Sequence, residues 1–125
     1  EAIENGGTPS DRIVVGGFSQ GGTLSILSGI TYPRKLAGVI SISGWCAYRA
    51  DLSAKVHTAN AALPVHFTAG TNDPVVLYPL CKASSELLQS ILGDNLSSSA
   101  ISRGMHQPDG AEMRAAVQFI AACLP

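Results

Sequence analysis

The sequence predicts an α/β fold, a mainly parallel sheet flanked by helices, and three observations carry that expectation. Short apolar, β-branched runs without polar alternation recur along the chain, as strands buried on both faces of a parallel sheet require. Segments with apolar residues at helical spacing separate them. Each apolar run also ends in small residues: Gly16-Gly17, Ser43-Gly44 and Ala69-Gly70. With no internal repeat and no linker, repeated βα units of this kind make one sheet wrapped by helices.

Taken in order, Glu1 to Glu4 reads as the tail of a helix, and Asn5-Gly6-Gly7-Thr8-Pro9-Ser10 holds the residues that end one, Gly at C′ and Pro just beyond. Arg12 to Gly17 is the first strand. Gly21 to Ile30 is the helix after it, with Leu24 and Leu27 on one face and Thr31-Tyr32-Pro33 as its stop. Ala37 to Ser43 and Leu63 to Ala69 are the second and third strands, separated by an irregular stretch, Gly44 to Ala62, that carries Trp45 and Tyr48 and suits a substrate-facing loop. A helix starting near Pro79 follows, because proline is tolerated only in a first turn, with Leu80, Leu87, Leu88, Ile91 and Leu92 at helical spacing. Leu96 to Ser102 should be a strand if the alternation continues, despite its serines. Asp109 three residues before Glu112 is a capping-box pattern, and Met113, Val117, Ile120 and Leu124 form one apolar stripe on the last helix.

Composition removes several function classes. The 125 residues are 46% hydrophobic and 14% charged, with 8 Lys+Arg against 9 Asp+Glu. Nucleic-acid and anionic-membrane binding need a basic field that this balance does not supply, and the apolar content excludes disorder. Apolar runs are broken well short of the ~18 residues of a membrane span. Cys46, Cys81 and Cys123 are odd in number and contain no C-x-x-C pair, so neither a disulfide framework nor a zinc site is suggested. Reduced thiols point to the cytoplasm.

The stretch Val14-Val15-Gly16-Gly17-Phe18-Ser19-Gln20-Gly21-Gly22-Thr23 carries the chemistry. It contains G-x-S-x-G between a predicted strand and a predicted helix. In a chain with 13 Gly and 14 Ser the pattern alone is weak, and the strand-turn-helix setting gives it weight. A serine on so sharp a turn has its hydroxyl exposed, and Gly17 and Gly21 are expected to be side-chain-free so that the turn can close. A phosphate-binding loop is the rival reading, but Gly22 stands where its lysine should be, and nothing would reach the β- and γ-phosphates. A plain Gly-rich packing turn is the other.

A serine hydroxyl needs a base to take its proton, and the base needs a third group to hold its tautomer. His66 lies inside an apolar strand and reads as a satisfied core residue; His57 sits in the irregular loop. His106 follows the last strand at its carboxyl end, where α/β sheets place their sites. Asp73, in Gly70-Thr71-Asn72-Asp73-Pro74, directly follows the third strand, whereas Asp51, Asp94 and Asp109 suit loop or cap roles. Ser19, Asp73 and His106 thus run in the chain order of α/β-hydrolase triads.

The strings Arg12 to Gly22, Leu36 to Ile40 with Ser41 to Trp45, Gly70 to Val76 and Gly104-Met105-His106 together resemble the acyl-protein thioesterase, lysophospholipase and carboxylesterase family of α/β-hydrolases. The resemblance implies hydrolysis of carboxylic esters or thioesters without metal or cofactor, on acyl substrates from small esters to lysophospholipids and S-acylated proteins. It implies Ser19 as nucleophile, His106 as base then acid, Asp73 as orienting carboxylate and the Gln20 N–H as an oxyanion donor. Trp45, read from its place in the irregular loop, suits either the wall of an acyl channel or a buried loop anchor. Family members are about twice as long, so residues 1–125 are expected to be the C-terminal part of one α/β-hydrolase domain. The front half, with its early strands and second oxyanion donor, would be a partner of this chain. The first strand would then present an unpaired apolar edge. The alternative from another class is a non-catalytic half-fold that binds an acyl chain or a partner.

Overall fold

The computed structural model describes residues 1–125. Four strands, β1 (Val14–Phe18), β2 (Gly38–Ile42), β3 (Val65–Gly70) and β4 (Leu96–Ile101), form a single sheet in that spatial order. All pairings are parallel, with Val14 opposite Gly38, Val39 opposite Val65, and Val65 opposite Leu96. Five α-helices accompany them: α1 (Ala2–Asn5), α2 (Gln20–Thr31), α3 (Leu52–Lys55), α4 (Tyr78–Leu92) and α5 (Gly110–Cys123). The Gly44 to Ala62 stretch holds α3 and a single 3-10 turn, Thr58–Asn60.

The two central strands, β2 and β3, are buried throughout, as their unbroken apolar runs require. Val39, Val65, Phe67 and Ala69 meet Ile26 and Ile30 of α2 and Cys81, Leu88 and Leu92 of α4 in the main core. Ile40 and Ile42 point to the other face, where Ala116 of α5 closes a smaller cluster with Val14 and Phe119 at its margin. Burying an Ile or Leu of this kind contributes roughly 1.5–3 kcal/mol, so the α2/α4 side carries most of the hydrophobic stabilisation. β1 pairs with β2 alone and is only partly buried, so it forms one open edge of the sheet. β4 forms the other, its Ser97, Ser98, Ser99 and Ala100 exposed. It is a strand in spite of its serines because the ladder to β3 fixes it, not side-chain burial.

Two helix faces, those of α2 and α5, differ from the sequence expectation, and the α4 face packs inward as expected. In α2 the sheet-facing side is made of Gly22, Thr23, Ser25, Ile26, Gly29 and Ile30, while Leu24 is exposed. Small residues win that face because α2 lies close to β2: a Cβ on Gly29 would sit 2.3 Å from Val39 Cγ2. In α4, Cys81, Ser84, Leu88 and Leu92 are buried, and Leu80, Leu87 and Ile91 flank them. In α5 the expected stripe points outward, with Met113, Val117 and Ile120 exposed, and the inner face is Glu112 and Ala116 with Phe119 beside them. The α5 capping box forms as its spacing predicts: Asp109 Oδ1 accepts from the Glu112 N–H at 2.8 Å, and Glu112 Oε2 accepts from the Asp109 N–H at 3.1 Å. No helix is long and apolar enough to cross a membrane.

Candidate active site

Ser19 is the single residue between the end of β1 and the start of α2, and its backbone has φ 56° and ψ −123°. A side-chain-bearing residue reaches that region only when its surroundings over-determine it. Its N–H donates to the Ile42 carbonyl at 2.8 Å and its carbonyl accepts from the Thr23 N–H at 3.2 Å, so β2 and the first turn of α2 hold it. The glycine requirement is partly other than expected. A Cβ on Gly17 would lie 2.2 Å from the Gly21 carbonyl carbon, and one on Gly22 would lie 2.6 Å from Ser41 Oγ. Gly21 has open space. The helix returns over Gly17 and settles onto β2 through Gly22, so those two positions close the elbow.

Asp73 and His106 are brought together by the loops after β3 and β4. Thr71 N–H donates to the Ile101 carbonyl at 3.0 Å and Asn72 N–H to the Gly104 carbonyl at 2.9 Å. The loops touch so closely that a Cβ on Gly70 would sit 2.3 Å from the Gly104 oxygen. His106 Nδ1 then lies 2.7 Å from Asp73 Oδ2. The other carboxylate oxygen, Oδ1, accepts the N–H groups of Val75 at 2.7 Å and Val76 at 2.9 Å. Burial pushes the Asp73 carboxyl up, but the His106 hydrogen bond and the two backbone N–H groups outweigh it and hold the acid below its ordinary range. Asp73 is an anion at neutral pH and can only accept, so His106 Nδ1–H is the donor in this hydrogen bond.

The imidazole of His106 packs against the ring of Phe18, with centroids 4.8 Å apart, which sets it beside the residue preceding Ser19. Ser19 Oγ makes no hydrogen bond to it. Gln20 is the first residue of α2, where the N–H groups have no intrahelical acceptor. Trp45 is half-buried against the main core, and its N–H donates to Thr23 Oγ1 at 3.1 Å. His57 caps a one-turn helix through Nδ1. His66 is buried as expected but not satisfied: its Nε2 has no partner, and burial lowers its pKa against the opposing charge of Glu112. Cys46 and Cys81 are inert by burial, each thiol pushed up to about 11. No three His, Cys, Asp or Glu residues gather to hold a metal ion. Sequence reasoning gave no role to Phe18 or to Ser43, whose hydroxyl donates to the His106 carbonyl; both lie in strings that carry the resemblance, but only the fold makes them neighbours of the histidine.

Residues 1–124 match the phospholipase/carboxylesterase family. Acyl-protein thioesterase 1 of Cryptococcus neoformans is 40% identical over 98 residues, covering 78% of this chain and 41% of that protein. Acyl-protein thioesterase 1 of Debaryomyces hansenii is 32% identical over 120 residues, 96% of this chain and 52% of that protein. The chain thus spans about half the length of the curated relatives it matches. Among solved structures, Arabidopsis thaliana SOBER1 superposes with a TM-score of 0.90 at 24% identity, over 99% of this chain and 59% of that one. A Bacillus cereus carboxylesterase superposes at 0.76 and 20% identity, over 98% and 55%. A nearly complete family match, on a parallel sheet with a serine elbow at its first strand, leaves one conclusion: the chain belongs to the phospholipase/carboxylesterase family of α/β-hydrolases.

Proposed function

We propose that this chain carries the triad of a serine hydrolase that cleaves carboxylic esters or thioesters through an acyl-enzyme. The observation that carries the reading is the 2.7 Å bond between His106 Nδ1 and buried Asp73, with the His106 ring packed on Phe18, the residue before a serine held at φ 56°. Ser19 Oγ attacks the acyl carbonyl while His106 Nε2 takes its proton, and Asp73 steadies the imidazolium that forms. The Gln20 N–H, at the positive end of α2, faces the developing oxyanion. His106 returns the proton to the leaving alcohol or thiol, and water then repeats the sequence on the acyl-Ser19 ester. The Ser19 to His106 hydrogen bond would form when substrate orders the hydroxyl, as such contacts often tighten on binding.

An acyl substrate fits the surface. Of the ten exposed large hydrophobics, Phe18, Leu24, Val75, Leu77 and Met105 lie within five residues of Ser19, Asp73 or His106 along the chain. Apolar side chains exposed on the segments that carry Ser19, Asp73 and His106 favour a ligand with an apolar tail. Lysophospholipids and S-acylated proteins are the substrates we propose, Trp45 is our candidate for the channel wall, and the three free thiols favour the cytoplasm.

Residues 1–125 are, in this reading, the C-terminal part of one hydrolase domain, and its own front half is the partner. The open β1 edge and an apolar cavity of about 200 Å³ against it, walled by Ile3, Ile13, Val15, Tyr32 and Leu36, are what that half would cover. Activity of the chain alone should be low, since lacking one oxyanion donor typically costs ~10²–10³ in kcat. A second reading, a non-catalytic half-fold, draws on the absent Ser19 to His106 bond. A fluorophosphonate probe separates the two: labelling that disappears in Ser19→Ala supports the hydrolase. No labelling, even with the front half supplied, refutes it. Given labelling, p-nitrophenyl esters of rising chain length would rank the acyl group.

A further inference from the structure

The loop that follows β2 touches every segment of the candidate site. Ser43 N–H donates to the Thr68 carbonyl at 2.9 Å, extending the ladder toward the Asp73 loop. Trp45 N–H is held by Thr23 Oγ1 at 3.1 Å on the first turn of α2, the helix that carries the serine elbow. Cys46 N–H is held by Ser84 Oγ at 2.8 Å on α4, the helix that follows Asp73. The loop's bond to the third segment, that of His106, is the Ser43 hydroxyl, which donates to the His106 carbonyl at 2.7 Å across 63 residues of sequence.

Ser43 is an unusual choice for its place. It has φ 54°, in the left-handed region that favours glycine, and it is 1% exposed. A residue in such strained backbone typically costs on the order of 1–3 kcal/mol, and strain of this kind persists where surroundings over-determine it, often at functional sites. Glycine would meet the φ without strain, so backbone conformation does not account for a serine. The hydroxyl does: it has one protein partner, and that partner is the peptide group of His106.

We propose that Ser43 is a positioning residue for His106, its hydroxyl fixing the histidine backbone so that the ring keeps Nδ1 on Asp73 and Nε2 toward Ser19. The inference rests on the reading of His106 as the base. The ring is held on one side by Asp73 and on its face by Phe18. Neither contact fixes the peptide on which the ring is mounted. With the carbonyl tethered, backbone and ring are both anchored, and the imidazole keeps one tautomer and one direction.

The test uses the full chain with ¹⁵N-labelled histidine, His106 signals being assigned by their loss in His106→Gln. Long-range ¹H–¹⁵N spectra read the tautomer of His106 and its low-field Nδ1 proton, while fluorophosphonate labelling reads the reactivity of Ser19. Ser43→Ala and Ser43→Gly should both lose the low-field proton and mix the tautomers. Both should label Ser19 about three- to tenfold more slowly, the worth of one hydrogen bond. Ser43→Gly should keep or raise the melting temperature, since it relieves the backbone, which separates positioning from folding. A wild-type His106 spectrum in Ser43→Gly overturns the proposal, as does a wild-type chain in which His106 never holds the Nδ1–H form. If Ser19 is not labelled in any variant, even with the front half supplied, but the low-field proton still depends on Ser43, the hydrolase reading fails and the positioning role stands.

Discussion

Gly17, Gly21 and Gly22 occur within six residues and look equivalent as a sequence, yet the structure assigns them three different substitution costs. A Cβ on Gly17 would fall 2.2 Å from the Gly21 carbonyl carbon and 2.3 Å from its oxygen, more than 1 Å inside ordinary contact and against backbone that cannot rotate away. Gly17→Ala therefore requires the first turn of α2 to lift off β1, and overpacking of that kind costs typically 1–3 kcal/mol. We expect about 3 kcal/mol because backbone is struck, against a total stability on the order of 5–15 kcal/mol. A Cβ on Gly21 would meet no atom within 4 Å, and the residue sits in the helix without a positive φ. Gly21→Ala should stabilise by about 0.5–1 kcal/mol by restricting the unfolded chain. Gly22 is intermediate, because the nearest atom is Ser41 Oγ at 2.6 Å, a hydroxyl with no hydrogen-bond partner of its own. Gly22→Ala alone should cost about 2 kcal/mol, and the Ser41→Ala change, which breaks no bond, should restore part of it, with a coupling of about 1 kcal/mol. Urea unfolding followed by Trp45, the sole tryptophan, gives each value from the midpoint and slope. Gly17→Ala within 0.5 kcal/mol of wild type, or Gly21→Ala more than ~1 kcal/mol below it, would refute the close approach that shapes the elbow.

Gly70→Ala should drive the β3 loop off Gly104 and lengthen the Asp73–His106 bond, read as loss of the low-field Nδ1 proton in NMR; its retention would contradict the packing of the two loops. His66 has a folded pKa below its ordinary 6.5, so the unfolded chain binds its proton more tightly. That part of the stability is complete above pH 6.5 and falls as pH drops toward the folded value. His66→Phe should flatten the stability–pH curve across that window, and an unchanged slope would assign it elsewhere. Asn60 is fully buried and bonds the Leu36 N–H and the Tyr32 and Arg34 carbonyls. Asn60→Ala should cost about 3 kcal/mol by chemical denaturation, because three backbone groups lose their partner. Native-state alkylation at pH 7.5 should modify Cys46 and Cys81 far more slowly than in urea, both thiols being buried and raised to about 11.

The triad candidates were legible because their signal is positional. Ser19 and Asp73 each follow a strand whose apolar run is plain in the sequence, His106 follows the serine-rich segment that the strand-helix alternation makes a strand, and a parallel sheet sends all its carboxyl ends to one edge. Knowing where strands end was then enough to bring residues 19, 73 and 106 to one side of the molecule. Ser43 and Phe18 were not legible, since their part depends on which loops touch, and nothing local to I-S-G-W or G-F-S encodes that. The same division holds for the glycines. That the elbow needs them follows from its sharpness, but which ones it needs depends on how α2 returns over β1, a tertiary fact. His66 was read as satisfied because buried polar groups usually are; the face it shares with Thr68 has two unpartnered atoms instead, beside a cavity of about 160 Å³ at the start of α5.

The last helix shows why an apolar stripe is a weaker guide to orientation than the small residues opposite it. Met113, Val117 and Ile120 would each contribute roughly 1.5–3 kcal/mol if buried, yet all three are exposed. α5 turns its other side to the sheet because that side fits. A Cβ on Gly38 would lie 2.9 Å from Cys123 Sγ and 3.1 Å from Phe119 Cε1, so the helix approaches β2 at a glycine. Ala116 lies against Ile40 and Ile42, and the Phe119 ring stacks at 5.4 Å on His66. The capping box fixes the rotation at the other end: Glu112 must reach back to the Asp109 N–H, and doing so buries it beside the sheet. Turning the stripe inward would bring Met113 and Val117 where Ala116 now fits and would pull Glu112 from its cap. A helix apolar on two sides has two candidate faces in sequence, and the glycine and alanine contacts on β2 select between them.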